Sequence, residues 1–259
     1  MGDEEEVVKT TYEYLDGDQE SSEWLSRAGK CKVTYPNGDV YEGSFNDLKQ
    51  RHGTGKYTYA PPAPEDGDEE AEKPEMPPNV YVGEFLNGKK HGTGKMLYPN
   101  GDAYYGQWAN DLFQGEGSYK YANGDVYSGQ WTNGQKNGQG TYLYAANNSQ
   151  LVGTWGKNVC TKGRWIHSDG TSWHGNFKNN NPFGKGVYYF KNGNQQTGEY
   201  VEIVRPDAEE EDATDLVWQG NELEKASGNK DDLVRAGYAD APIEEKYEGK
   251  YEEAAAEGE

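Results

Sequence analysis

Sulfur, aliphatic bulk and positive charge are all scarce in this chain. It has 2 cysteines and 3 methionines in 259 residues, too few for a disulfide framework, and free thiols at Cys31 and Cys160 fit a reducing compartment. Apolar residues make up only 33% of the chain, which disfavours the thick Leu/Ile/Val core of a helical bundle or a doubly wound sheet. No stretch approaches the ~18 apolar residues of a membrane span. The opening MGDEEEVVKT lacks the basic and apolar regions of a secretory signal, and Glu6 stands where a myristoylation signal at Gly2 needs Ser or Thr. A soluble, intracellular protein is expected, so the sequon at Asn147, Asn148 and Ser149 is read as chance. A net charge of −20 excludes a general nucleic-acid binder, because phosphate contacts need clustered Lys and Arg.

What the chain has is glycine and aromatic rings. With 35 Gly, 21 Tyr and 7 Trp, it is suited to short strands joined by tight turns, and an all-β fold is expected. Its charge is uneven. Residues 1–28 carry 9 acids against 2 bases, residues 61–79 carry 7 against 1, and residues 202–259 carry 19 against 6. The remainder holds 16 bases and 10 acids, so a mildly basic body is framed by acidic segments. Three parts follow: an acidic extension at 1–28, a body at 29–201 with an acidic, Pro-rich insertion at 61–79, and an acidic tail at 202–259.

The body is repetitive. An aromatic-x-Gly-x-aromatic motif recurs as YEGSF, YVGEF, YYGQW, YSGQW, LVGTW, WHGNF and QTGEY, centred on Gly43, Gly83, Gly106, Gly129, Gly153, Gly175 and Gly198. The spacings are 40, 23, 23, 24, 22 and 23 residues, and the insertion accounts for the long first one. Each motif precedes a second strand-like element such as HGTGKYTYA or NGQGTYLYA. In a strand, Tyr127, Gly129 and Trp131 share one face. Glycine in a strand interior marks a close approach, here of rings from neighbouring hairpins, and the same reading covers Gly138 and Gly140. Asn-Gly pairs at 37–38, 87–88, 100–101, 123–124, 133–134 and 192–193 supply the positive φ of tight turns. The expected architecture is an elongated single-layer antiparallel meander of hairpins with acidic, largely irregular extensions. A lone hairpin is marginal in water, so the array needs caps, and the extensions are the candidates.

The rings Tyr41, Phe45, Tyr81, Phe85, Tyr104, Trp108, Tyr127, Trp131, Trp155, Trp173, Phe177 and Tyr200 form a stripe with two readings. They pack as core, or some line a groove for a partner peptide or for the chain's own extension.

No constellation for catalysis stands out. GEFLNGK at Gly83–Lys89 has P-loop spacing, but Lys90 replaces the Ser or Thr that would hold Mg²⁺ and the repeat leaves no room for a helix. His52, His91, His167 and His174 fall on different hairpins without recurring Cys or carboxylate partners, so a turn-packing role is favoured over metal binding. Runs such as Glu209–Asp212 read as solvated coil without calcium-loop spacing. No cofactor, metal or catalytic residue is expected. In the tail, DLVWQG near Trp218 and DLVRAGY near Arg235 read as short ordered docking segments.

The pattern Y-x-G-x-W-x-N-G-x-x-x-G-x-G-x-Y-x-Y-x-N-G, followed through residues 127–144, resembles the MORN (membrane occupation and recognition nexus) repeat, and similar units cover 29–201. Within that family, GQGTYLYA, VGTW, the degenerate unit through Trp165, NNNPFGKGVYYF and TGEY resemble MORN subunits of the ciliary radial spoke head. The insertion at 61–79 and the closing EEKYEGKYEEAAAEGE depart from that pattern. The resemblance implies an axonemal scaffold whose partners are other radial spoke head proteins, with transient contact to central-pair projections and pairing of two copies left open. The alternative it implies is a phosphoinositide-binding membrane-surface adaptor using Lys49, Arg51, Lys89, Lys90 and Lys95, although these bases are dispersed and no amphipathic helix accompanies them. A repeat-bearing enzyme is a third class, for which the residues after the last unit are too few.

Overall fold

The computed structural model describes residues 9–14, 20–21, 29–61, 77–204 and 214–226. Most of the insertion, the Glu209–Asp212 run, DLVRAGY and the closing acidic stretch lie outside the described residues. The chain divides into two compact units, Met1–Ala122 and Asn123–Glu259. Among the described residues there is no helix, only strands and turns.

The first unit contains β1 (Thr11–Tyr14), β2 (Glu20–Ser21), β3 (Gly29–Thr34), β4 (Val40–Phe45), β5 (Arg51–Thr58), β6 (Val80–Leu86), β7 (Lys89–Leu97), β8 (Ala103–Ala109) and β9 (Leu112–Lys120). From β3 to β9 each strand pairs antiparallel with the next. β1 adds to the free side of β3, and β2 to β1. The second unit contains β10 (Val126–Thr132), β11 (Gln135–Tyr144), β12 (Ser149–Gly156), β13 (Val159–Ile166), β14 (Ser172–Lys178), β15 (Asn181–Tyr189), β16 (Asn194–Val204), β17 (Thr214–Gly220) and β18 (Glu224–Lys225). β10 to β16 form the same meander, and β17 and β18 both pair with β16.

Both acidic extensions therefore contribute strands. The boundary placed after residue 201 falls inside β16, and β17 runs antiparallel to β16 from Thr214 against Val204 to Gly220 against Gly198. The physical reason is ring packing. Trp218 meets Tyr188 edge-on at 5.1 Å and 83°, the geometry with which Trp108 meets Tyr81 deeper in the first unit. DLVWQG is thus the closing strand of the ladder.

Two kinds of turn alternate. Within hairpins, Asn87-Gly88 and Asn133-Gly134 have positive φ at both residues, the twist-compatible type I′ arrangement. Asn110-Asp111, Lys157-Asn158 and Asn179-Asn180 take the same conformation without glycine. Between hairpins, only the second residue is left-handed, as at Gly38, Gly101, Gly124 and Gly193, and the turn is closed by a side chain. Asn123 Oδ1, for example, accepts the N–H of Asp125 at 3.0 Å.

The two glycines of the second strand have different tasks. Gly138 has φ +92 and sits opposite the register shift between Gly129 and Trp131, an irregularity that gives the second strand two extra residues, three facing Gln130 alone. Gly140 faces Gly129 across the ladder, and a Cβ there would collide with the ring and hydroxyl of Tyr127. Only the second is a ring bed. The exposed N–H left by the bulge is taken by the residue between the Gly and the second aromatic residue of the first strand: Gln130 Oε1 accepts the Gln139 N–H at 2.9 Å, and Glu84 Oε1 accepts the Thr93 N–H at 2.9 Å.

Candidate interaction surface

Eleven of the twelve stripe rings are buried. Tyr41, Tyr81, Tyr104, Tyr127 and Trp173 are fully covered, and Phe45, Phe85, Trp108, Trp131, Trp155 and Phe177 nearly so. Tyr200 is half-buried. Each first-strand Tyr lies flat along its own hairpin and is pinned at its tip. The Tyr41, Tyr81, Tyr104 and Tyr127 hydroxyls donate to the carbonyls of Ser44, Glu84, Gln107 and Gln130 at 2.9–3.1 Å. The ring that follows stands on it edge-on: Phe85 on Tyr41 at 5.1 Å, Trp108 on Tyr81 at 5.1 Å and Trp155 on Tyr127 at 5.1 Å. Edge-to-face pairs of this kind add to the burial energy by roughly 0.5–1.5 kcal/mol each. The indoles are anchored too, with Trp108 Nε1–H donating to the Gly94 carbonyl and Trp155 Nε1–H to the Gly140 carbonyl, both at 3.0 Å. The stripe is thus the core of a single-layer sheet, and its members face neighbouring hairpins.

The rings that reach solvent come from the second strands and the residues just after them. Tyr59, Tyr98, Tyr119, Tyr121, Tyr142, Tyr144, Trp165 and Tyr188 are half-buried. Burial pushes the Tyr98 phenol up to about 12, and it raises Tyr59 and Tyr144 as well. Over this layer lie cations. Arg51 covers Tyr57 at 4.7 Å and Phe85 at 5.4 Å, and Lys90 covers Trp108 at 4.6 Å and Tyr81 at 5.5 Å. In the second unit Lys136 covers Tyr142 at 4.7 Å, Tyr127 at 5.1 Å and Trp155 at 5.4 Å. These are cation–π distances. Removal from water pulls the Lys136 ammonium down to about 8, against the opposing pull of the Asp125 carboxylate.

At the other end of each second strand a carboxylate holds the ring in place. Asp39, Asp102 and Asp125 accept the hydroxyls of Tyr57, Tyr119 and Tyr142 at 2.6, 2.7 and 2.8 Å. They also accept the backbone N–H of Ala60, Ala122 and Ala145 at 2.7–2.8 Å. Burial alone would raise these carboxyls, but the accepted hydrogen bonds outweigh it and hold all three below the ordinary value. In the β4–β5 and β10–β11 hairpins these parts make a four-part stack of carboxylate, phenol, buried ring and cation, whereas β6–β7 keeps the cation without the carboxylate–phenol pair and β8–β9 has Phe113 in the cation's place. Spacing exposed the rings but not the cations, whose role appears only when Arg51, Lys90 and Lys136 are seen to face Phe45, Phe85 and Trp131 across the hairpin.

The bases considered for a membrane surface are not equivalent. Arg51 and Lys90 lie against rings, Lys95 is 4% exposed, and Lys49 and Lys89 are exposed. Among the described residues no three His, Cys, Asp or Glu side chains converge on a possible metal position. His52 and His91 lie on β5 and β7. His174 touches Ser172 Oγ at 3.1 Å and the Tyr189 ring at 4.6 Å, and burial together with the Arg164 charge lowers it to about 4. The P-loop-like stretch runs from β6 through the Asn87-Gly88 turn into β7, with no helix to follow it.

The fold and surface define a repeat protein in which each hairpin is one structural unit and neighbouring units build the interior. The family model described as MORN repeat matches residues 27–40, 41–61, 81–103, 104–126, 127–149 and 173–195, and the chain belongs to the MORN-repeat family. The matches skip 150–172, the unit of β12 and β13. A comparison with curated proteins finds no match. Among solved structures, the SAS-4 (dCPAP) TCP domain of Drosophila melanogaster, in complex with a proline-rich motif of Ana2 (dSTIL), aligns at 16% identity and a TM-score of 0.38, covering 71% of this chain and 96% of that one.

Proposed function

We propose that the chain is a non-catalytic scaffold subunit of the axonemal radial spoke head, of the type of radial spoke head protein 1. The observation that carries the scaffold reading is the use of the ring stripe. Its buried members are spent on joining hairpin to hairpin, while a patterned layer of half-buried tyrosines and stacked cations is left facing outward. Such a layer suits docking to other proteins, since aromatic and Arg-rich surfaces dominate the energetics of interfaces. The placement in the spoke head is supported by the order of the irregular units, with the degenerate one between residues 149 and 173 and an acidic segment after the last. Acidic segments at both ends would limit adhesion to the central apparatus while leaving transient contact possible.

Affinity isolation of the tagged chain from cilia, followed by mass spectrometry, is the direct test. Co-isolation of other radial spoke head proteins is the expected result, and their absence overturns the placement. Recovery of a different axonemal set would favour a paralogue such as radial spoke head protein 10. Because β17 completes the ladder, the informative truncation removes 227–259 and leaves 214–226 in place. It is expected to preserve spoke head assembly and alter motility.

The membrane-surface reading rests on the basic body and on phosphoinositide binding implied by the family resemblance. It is weakened by the occupation of Arg51 and Lys90 by rings. Salt-sensitive flotation of the full chain with anionic liposomes would restore it.

A further inference from the structure

The turns between hairpins offer the same position several times over. At Asp39, Asp102 and Asp125 the backbone N–H is held by the Asn two residues earlier, at 3.1, 3.0 and 3.0 Å, and the carboxylate accepts a tyrosine hydroxyl from the second strand. Ser149 occupies this position in the next turn, with its N–H held by Asn147 Oδ1 at 2.9 Å. Trp165 occupies the tyrosine position: Tyr127 faces Tyr142 across its hairpin, and Leu151 faces Trp165 across the next. The ring donor is kept there and the carboxylate that accepts from it elsewhere is gone.

Both groups are left unsatisfied. Ser149 is 1% exposed, and neither its Oγ nor the buried Nε1 of Trp165 has a hydrogen-bond partner. Buried polar groups are nearly always paired, so two orphans at one repeat position require an explanation. The other turns that lack Asp do not leave a second-strand ring donor without a partner. Asn79 precedes a hairpin whose second strand carries Met96, which has nothing to donate. Thr171 precedes one carrying Tyr188, whose hydroxyl bonds that of Tyr200 at 2.5 Å.

The cation is absent as well. Cys160 stands opposite Trp155 where Lys136 stands opposite Trp131, so the position is electrically neutral. Above it the rings stack, Tyr144 on Trp165 at 6.0 Å and 27°, and Trp165 on His167 at 5.4 Å and 19°. The next residue, Ser168, is exposed, which places this end of the hairpin at the surface.

We propose that Ser149 and Trp165 form a receptor for a carboxylate brought from outside the repeat, supplied by an Asp or Glu side chain of an acidic peptide. The Ser149 hydroxyl and the Trp165 indole N–H donate to its oxygens, restoring in trans the carboxylate that Asp125 provides in cis to Tyr142. A carboxylate fits better than a phosphate, because the site replaces a carboxylate and offers no cation. The proposal rests on the repeat alone and stands or falls independently of the placement in the spoke head.

The test follows the indole N–H resonances of the ¹⁵N-labelled full chain, with Trp165→Phe identifying that of Trp165. The probes are the peptide EEAAAEGE, its counterpart with every Glu replaced by Gln, and sodium acetate against sodium chloride at matched ionic strength. The acidic peptide is expected to move the Trp165 signal downfield and the Gln peptide to leave it in place. Ser149→Asp is expected to show the shifted signal without any ligand and to weaken peptide binding about tenfold, as loss of a charge-assisted hydrogen bond predicts. Ser149→Ala, which keeps the volume and removes the donor, is expected to lower peptide affinity with the other indole signals unmoved. It decides the matter if Ser149→Asp fails to fold. An unmoved Trp165 signal, equal shifts with the Glu and Gln peptides, or unchanged affinity in Ser149→Ala would overturn the proposal. A response to acetate without one to the peptide would assign the site to free small carboxylates and overturn the peptide as its occupant.

Discussion

The hairpin of β10 and β11 and the next one, of β12 and β13, share a turn conformation and differ in the length of their register shift, two residues against one, and in almost every ring. Both turn through two left-handed residues, Asn133-Gly134 in one and Lys157-Asn158 in the other, and both shift register just before the tryptophan. In the first, Tyr127 covers Gly140, Lys136 covers the rings and Asp125 holds Tyr142. In the second the corresponding residues are Leu151, Cys160, Ser149 and Trp165. Leu151 and Cys160 are both fully buried, so the interior stays closed with smaller side chains, and burial pushes the Cys160 thiol up to about 11. Turn chemistry and the strand ladder therefore specify the hairpin, and the ring stack above it is replaceable. The regular stack sets how each unit meets solvent and partners, and a unit that abandons it acquires a different surface.

Breaking the ring bed should have the largest effect. Gly140→Ala puts a methyl group into the Tyr127 ring and is expected to destabilise the fold by about 2–3 kcal/mol, as overpacking does. Gly156→Ala, in the second hairpin, meets nothing within 4 Å and should fall within about 0.5 kcal/mol of the parent. Urea midpoints of the two variants check the contrast, and equal costs would remove ring cover as the reason for Gly140.

Removing the acceptor should come next. Asp125→Asn is expected to cost about 1–2 kcal/mol at neutral pH, because the Tyr142 hydroxyl and Ala145 N–H lose a charged partner. The folded-state carboxyl titrates below its ordinary value of 3.8. Its contribution is complete above 3.8 and is lost as pH falls through the folded value. The stability gap between parent and variant should therefore be constant at neutral pH and close below 3.8. Trp155→Phe is a smaller perturbation of the same hairpin, expected to cost about 1 kcal/mol for the hydrogen bond to the Gly140 carbonyl, with denaturant midpoints as the measure.

The hairpin period was legible because glycine, Asn-Gly and aromatic spacing each reflect a local backbone requirement. The same logic reached Gly140 but joined it with Gly138, since spacing does not distinguish a left-handed bulge residue from one kept bare beneath a ring. Asn110-Asp111, Lys157-Asn158 and Asn179-Asn180 went unread as type I′ turns because Asn and Asp accept positive φ without the glycine that signals it. β17 was read as a docking segment because its partner is β16, across residues that carry no repeat. The stripe was legible as a set, with its role divided between core and groove. Whether a ring is covered depends on what packs beside it in the fold, and eleven of the twelve are buried. The orphaned pair at Ser149 and Trp165 was visible only as a degenerate unit. Its meaning required the three hydrogen-bonded Asp–Tyr pairs beside which it is an exception.

The smallest effect should come from the cation on the regular hairpin, and its sign is informative. Lys136 titrates near 8 in the fold against 10.5 when unperturbed, because burial disfavours its charge. Below 8 both folded and unfolded chains carry the proton, and the folded state bears the full cost of desolvating it. Between 8 and 10.5 the unfolded chain binds more protons, so this residue's contribution becomes more favourable as pH rises. Lys136→Met keeps the stem over Tyr142 and removes the charge. The variant should be as stable as the parent or slightly more so at pH 7, and the parent should gain on it between pH 8 and 10. A difference in unfolding free energy that stays flat across that range would mean that the ammonium on the Tyr127, Tyr142 and Trp155 rings is as well solvated as one in water. It would then separate the regular hairpin from its neighbour by shape alone.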